Sequence, residues 1–125
     1  MNSALPNVRE IPYDRVAIHA LELQSTDEYE SVRCEFCSIE DAGRIVTLLA
    51  SLRVNDQARC HMPAFRVELW RADEVVFGAA ICWTCNNMEL SGSSADASWA
   101  CFDAAGIEAQ KLLALCKTIA EGGRL

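Results

Sequence analysis

Two periods run through this chain. Apolar residues recur at every second position in several short stretches, and at helical spacing in two others. Arg15 to Leu23, RVAIHALEL, reads as a strand. Tyr29 to Cys37, YESVRCEFC, alternates, and the pattern predicts Val32, Cys34 and Phe36 on a buried face with Arg33 and Glu35 opposite. Ser38 followed by Asp41 forms a helix start, and Ile45, Leu48, Leu49 and Leu52 then keep helical spacing until the polar run RVNDQAR. Phe65 to Arg71 and Val75 to Thr84 predict a hairpin turning near Ala72–Asp73. The second of these strands is apolar on both faces and is expected to be central in a sheet. Met88–Leu90 and Ser98–Phe102 predict a last, shorter pair across the surface loop SGSSADAS. Ile107 to Ala120 carries Ala109, Leu112, Leu113, Cys116, Ile119 and Ala120 on one stripe, and Gly122–Gly123 is expected to end the helix. The order strand, strand, helix, strands, helix predicts an α+β fold of two layers. Its mostly antiparallel sheet carries two amphipathic helices packed on one face.

The 125 residues fit a single domain, with residues 1–14 as an extended lead-in. Apolar residues make up 51%, enough for a core without a metal or disulfide staple. The net charge of −7 argues against nucleic acid and against anionic membrane surfaces, both of which need Lys and Arg. A protein or a small ligand remains as partner, and the chain is a candidate homodimer. The start MNSALPNVREIPYDR lacks a basic segment followed by an apolar run, and no stretch has the roughly 18 apolar residues of a spanning helix. A cytoplasmic location is therefore expected, where thiols are kept reduced. The seven cysteines cannot all pair within one chain. They are expected as thiols, metal ligands or transient redox partners.

Two of the cysteine pairs are CxxC pairs, Cys34/Cys37 and Cys82/Cys85. Positions i and i+3 of a strand point to opposite faces, so CEFC cannot share an ion. CWTC closes a strong strand and precedes Asn86–Asn87, residues that tolerate turns. A bulge at Trp83–Thr84 would bring its sulfurs together. The predicted hairpin also sets Cys60 level with Cys85, and Met62–Pro63 near Cys82. Cys60, His61, Cys82 and Cys85 then share one end of the sheet. Three uses fit them: packing alone, a redox pair of Cys60 with Cys85, or a zinc site from Cys60, His61, Cys85 and a further ligand such as Cys82. A cysteine nucleophile with His61 as its base is a weaker use of the same residue types.

Trp70 and Trp83 are candidate interface residues. Asp27, Glu28, Glu30, Glu35, Glu40 and Asp41 form an acidic stretch, with Arg33 as the one base among them, that reads as a solvated edge and helix start; the alternative is a surface for a basic partner protein. His19 reads as a satisfied, half-buried strand residue. No phosphate loop, HExxH or GxSxG is present, so no catalytic residue is assigned. The expected function is that of a small acidic binding or accessory domain. The alternative is a thiol-based zinc-binding or redox protein using the four clustered residues.

The segment CHMPAFRVELWRADEVVFGAAICWTCNN, followed by FDAAGIEAQKLL, resembles a group of uncharacterised small bacterial proteins. The shared pattern is C-H-x-P-x-(aromatic), a two-stranded stretch, C-W-x-C-N-N and a late F-D-A. Cys60, His61, Pro63, Phe65, Cys82, Trp83, Cys85, Asn86, Asn87, Phe102 and Asp103 carry it, over residues 60–115. The resemblance implies a bacterial source, with a mobile gene cassette as an expected setting. It implies no activity, and it points to the Cys/His cluster, rather than CEFC, as the part to test.

Overall fold

The structure is a computed structural model that describes residues 7–25, 28–55, 61–95 and 98–121. A short 3-10 turn, Val8–Glu10, precedes strand β1, Arg15–Ser25, and strand β2, Glu28–Phe36. Helix α1, Ile39–Ala50, follows; then come β3, Phe65–Arg71, β4, Glu74–Cys82, β5, Asn87–Ser91, β6, Trp99–Cys101, and helix α2, Ile107–Ala120. The strands form one six-stranded sheet in the order β2-β1-β3-β4-β5-β6, antiparallel at every pairing. The two-layer α+β architecture expected from the pattern is the one observed.

Both helices lie on one face. They touch each other and β1, and α2 also reaches β2. The core between the layers combines Val16 and Ile18 of β1 with Phe65, Val67 and Leu69 of β3 and Phe77, Ala79 and Ile81 of β4. Ile45 and Leu49 of α1 and Leu112, Cys116 and Ile119 of α2 close it from above. Ser38 caps α1, its hydroxyl accepting the Asp41 amide at 3.1 Å. Val8 is also buried in this core, so part of the expected extended lead-in contributes to packing. The turn between β3 and β4 places Ala72 at φ 54. The expected stop at Gly122–Gly123 lies outside the described residues.

One prediction fails at β2. Cys34 pairs with His19 and Phe36 with Ala17, on the face turned away from the helices. Cys34 is exposed, and Val32 and Phe36 are 50% and 47% exposed. Arg33 instead faces the helix layer, where its guanidinium donates to the Ala120 carbonyl at 2.8 Å. That contact explains the inversion. A cation at the C-terminal end of α2 satisfies an orphan carbonyl and meets the negative pole of the helix dipole. The β1–β2 ladder also slips between Ala20 and Leu21, leaving Val32 as an extra residue, so alternation does not carry through β2.

Candidate functional site

No helix of the described residues lies on the second face of the sheet. Small residues line its middle: Ala17 opposes Glu68, Gly78 opposes Glu68 from the other side, and Ala80 opposes Arg66. Flanking that middle, a cleft of about 590 Å³ is lined by Leu21, Tyr29, Glu30, His61, Arg66 and Glu89, among others. A groove of about 1070 Å³ runs between α1 and α2 on the opposite side of the molecule. The groove is the larger, but the cleft holds the clustered polar chemistry.

At one end of the cleft stands His61. Its Nδ1 is 2.8 Å from Asn87 Oδ1, and its ring meets Trp99 edge to face at 4.8 Å. Asn87 is buried in β5, where it pairs with Cys82 and Cys101. An amide oxygen accepts, so Nδ1 carries the proton and Nε2 of the neutral ring presents a bare lone pair. That Nε2 is buried, finds no hydrogen-bond partner among the described residues, and stands 3.9 Å from Glu89 Oε1. A buried polar atom without a partner is rare.

Beneath His61 lie the cysteines. ICWTCNN is the β4–β5 hairpin: Cys82 pairs with Asn87, residues 83–86 turn, and Asn86 takes φ 60. The expected bulge at Trp83–Thr84 is replaced by this four-residue turn. It folds the Cys85 amide back onto Cys82 Sγ at 3.1 Å, and the Met62 amide reaches the same sulfur at 3.3 Å. The expected proximity of Met62 to Cys82 is thus observed. Cys82 is a free, buried thiol and Cys85 is disulfide-bonded. Cys60 lies outside the described residues. Among the described residues no three His, Cys, Asp or Glu side chains are placed to hold a metal ion.

The two tryptophans take different places. Trp83 packs edge-on against Phe65 and Phe102 and donates its indole N–H to the Ala109 carbonyl at 2.8 Å. It ties the hairpin to α2. Trp70 stays on the open face, edge to face with Phe36 at 5.9 Å and under the Arg15 guanidinium at 5.3 Å.

A second polar cluster on this face escaped the sequence reading. His19 is half-buried and satisfied as expected, but its partners are functional groups from the two neighbouring strands, β2 and β3. Nδ1 lies 2.8 Å from Ser31 Oγ and Nε2 lies 2.7 Å from Glu68 Oε1. Arg66 Nε donates to Glu68 Oε2 at 3.0 Å, and Trp70 Nε1 donates to Oε1 at 3.1 Å. Burial would raise the Glu68 pKa, but the hydrogen bond and charge of His19, with Arg66, outweigh it and hold the carboxyl below its ordinary value. Only cross-strand register joins residues 19, 31 and 68, and no local motif marks them.

The CEFC thiols are poor nucleophiles. Burial raises the Cys34 pKa, and Glu68 and Glu35 raise it further. Burial, with Asp41, pushes Cys37 up to about 12. No family model, no curated protein and no solved structure matches the chain. No described helix is long and apolar enough to cross a membrane.

Proposed function

We propose that this chain is a small-molecule binding domain whose ligand enters the open-face cleft and donates a hydrogen bond to His61 Nε2. The orphaned, buried Nε2 at the cleft wall carries this reading. Its cost in the empty site is offset when a ligand N–H or O–H arrives. Charge narrows the class. Glu28, Glu30 and Glu89 line the cleft, while Arg66, its one lining Lys or Arg among the described residues, is tied to Glu68. A small amine fits best, its ammonium shared between His61 Nε2 and Glu89. Titration with ethanolamine, putrescine and spermidine, followed by NMR of the His61 ring and the Trp99 indole, tests this. At least one amine should shift both signals, with affinity about tenfold weaker in Glu89→Gln, the size of one charge-assisted hydrogen bond. Silence from all three amines contradicts the reading.

A second reading rests on the disulfide at Cys85. Among the described residues, five cysteines are free thiols and Cys85 is disulfide-bonded. We infer a redox-active Cys60–Cys85 pair beside the Cys82 thiol. In this oxidation state the four candidate residues do not offer zinc a donor set, since Cys85 is occupied and ligating sulfur must be thiolate. Thiol counting on unfolded, unreduced protein should give five, and peptide mapping should return the Cys60–Cys85 link. Seven thiols would overturn the pair. Zinc retained by such fully reduced protein would move the cluster to the metal alternative.

A further inference from the structure

We infer that Ser31 is a nucleophile, with His19 as its general base, in a site for acyl transfer from small carboxylic esters at the rim of the open-face cleft. The inference goes beyond ligand binding and stands on residues that do not touch His61. Its basis is the direction of the hydrogen bonds around one imidazole. Glu68 accepts from three donors: the His19 ring at 2.7 Å, Arg66 at 3.0 Å and Trp70 at 3.1 Å. An acceptor-only carboxylate fixes the proton of neutral His19 on Nε2, leaving the Nδ1 lone pair aimed at Ser31 Oγ, 2.8 Å away. The Arg33 carbonyl is a second acceptor for the one hydroxyl proton, but at 3.4 Å it is the longer and weaker of the two. A hydroxyl donating to an imidazole whose far nitrogen is held by a carboxylate is the arrangement that activates a serine. The two ring nitrogens exchange their usual partners here, but the roles are unchanged.

The fold supplies the placement. The extra residue in β2, Val32, shifts the ladder so that Ser31 pairs with Leu21, on the same face as His19, rather than with Glu22 on the other face. Bulges re-aim side chains in this way and are frequent beside active sites. Leu21 and Glu30, the ladder partner and chain neighbour of Ser31, both line the cleft. An acyl group held over Leu21 therefore lies next to the hydroxyl. Cys34 Sγ is also near His19 Nε2, at 3.7 Å, but that nitrogen faces Glu68 and its thiol is held protonated. The hydroxyl, not the thiol, meets the free lone pair.

The step balances without a further reagent. Ser31 Oγ attacks the ester carbon, its proton passes to His19 Nδ1, and the carbon–oxygen bond to the alcohol breaks as the alcohol leaves with that proton. Water then attacks the acyl-Ser31 carbon, giving up a proton to Nδ1, which returns it to Ser31 as the acid is released. Glu68, Arg66 and Trp70 are positioning residues.

Covalent labelling of the full chain with a fluorophosphonate probe, read by intact mass and peptide mapping, is the test. An ordinary exposed serine does not react with such a probe. The expected result is one adduct on Ser31, absent in Ser31→Ala and formed about a hundredfold more slowly in His19→Gln, the size of a general-base contribution. Hydrolysis of 4-nitrophenyl acetate should fall in the same two variants. Ser31 lies exposed on an edge strand, so Ser31→Ala leaves the fold intact and its loss of signal is chemical. No adduct, an adduct on Cys34, or equal labelling of wild type and His19→Gln overturns the inference. None of these outcomes bears on amine binding at His61.

Discussion

Single residues on the open face explain more than their neighbours in sequence suggest. His19 and His61 are the only two histidines. One has both nitrogens bonded, and the other keeps an Nε2 with no hydrogen-bond partner among the described residues. Glu68 links the first of them to acid stability. Its folded-state pKa is lowered, so the ionised carboxylate contributes stability at pH values above the ordinary Glu range. That contribution is lost as pH falls through the lowered folded value. Urea midpoints measured at neutral pH and at pH about 3 should therefore differ less in Glu68→Gln than in wild type. An unchanged difference would mean that the carboxylate is not specifically held. Thiol reactivity gives a second residue-scale expectation. Cys34 is exposed yet raised, Cys37 is pushed up to about 12, and burial raises Cys116. Alkylation of native protein near neutral pH should modify Cys34 slowly and first, and Cys37 and Cys116 only on unfolding.

At the scale of elements, helices and inner strands were legible because one physical rule governs each. Ile107–Ala120 was placed to the residue, because a helix on a sheet must show its apolar stripe. β4 was placed in the interior because it is apolar on both faces, and it lies between β3 and β5. β2 was not legible. On that edge strand an arginine is drawn inward by a helix end, and a bulge breaks the parity on which face assignment depends. The Cys/His cluster was half legible. The hairpin register brought Met62 to Cys82, and Asn86–Asn87 signalled a turn, but its start at residue 83 was not legible because Trp83–Thr84 continue the strand composition with no Gly or Pro. The Ser31–His19–Glu68 cluster was invisible because it depends on pairing among three strands. Two elements yield direct tests. Ser38→Ala removes the α1 cap and should cost about 1 kcal/mol in urea denaturation. Arg33→Ala removes the contact to the end of α2 and should also cost about 1 kcal/mol, although a surface arginine on an edge strand would ordinarily be neutral.

For the whole molecule, the two faces of the sheet divide the work. The helix side holds the core, and Phe77→Ala there should cost about 3–5 kcal/mol by leaving a cavity among fully buried neighbours. The other face carries two histidine clusters, a cleft, and Phe36 and Trp70 packed edge to face. The net charge of −7 and the glutamates at the cleft favour a cationic visitor over an anionic one. The most direct test of the central claim, that the open face is built to receive a ligand at His61, is the long-range proton–nitrogen NMR spectrum of the two imidazoles, before and after adding ethanolamine, putrescine and spermidine in turn. With only two histidines both rings can be assigned. The account predicts that His61 holds its proton on Nδ1, that its bare Nε2 shifts on binding, and that His19 stays unchanged. A His61 ring that keeps its proton on Nε2, or a pair of rings equally indifferent to all three amines, would contradict it.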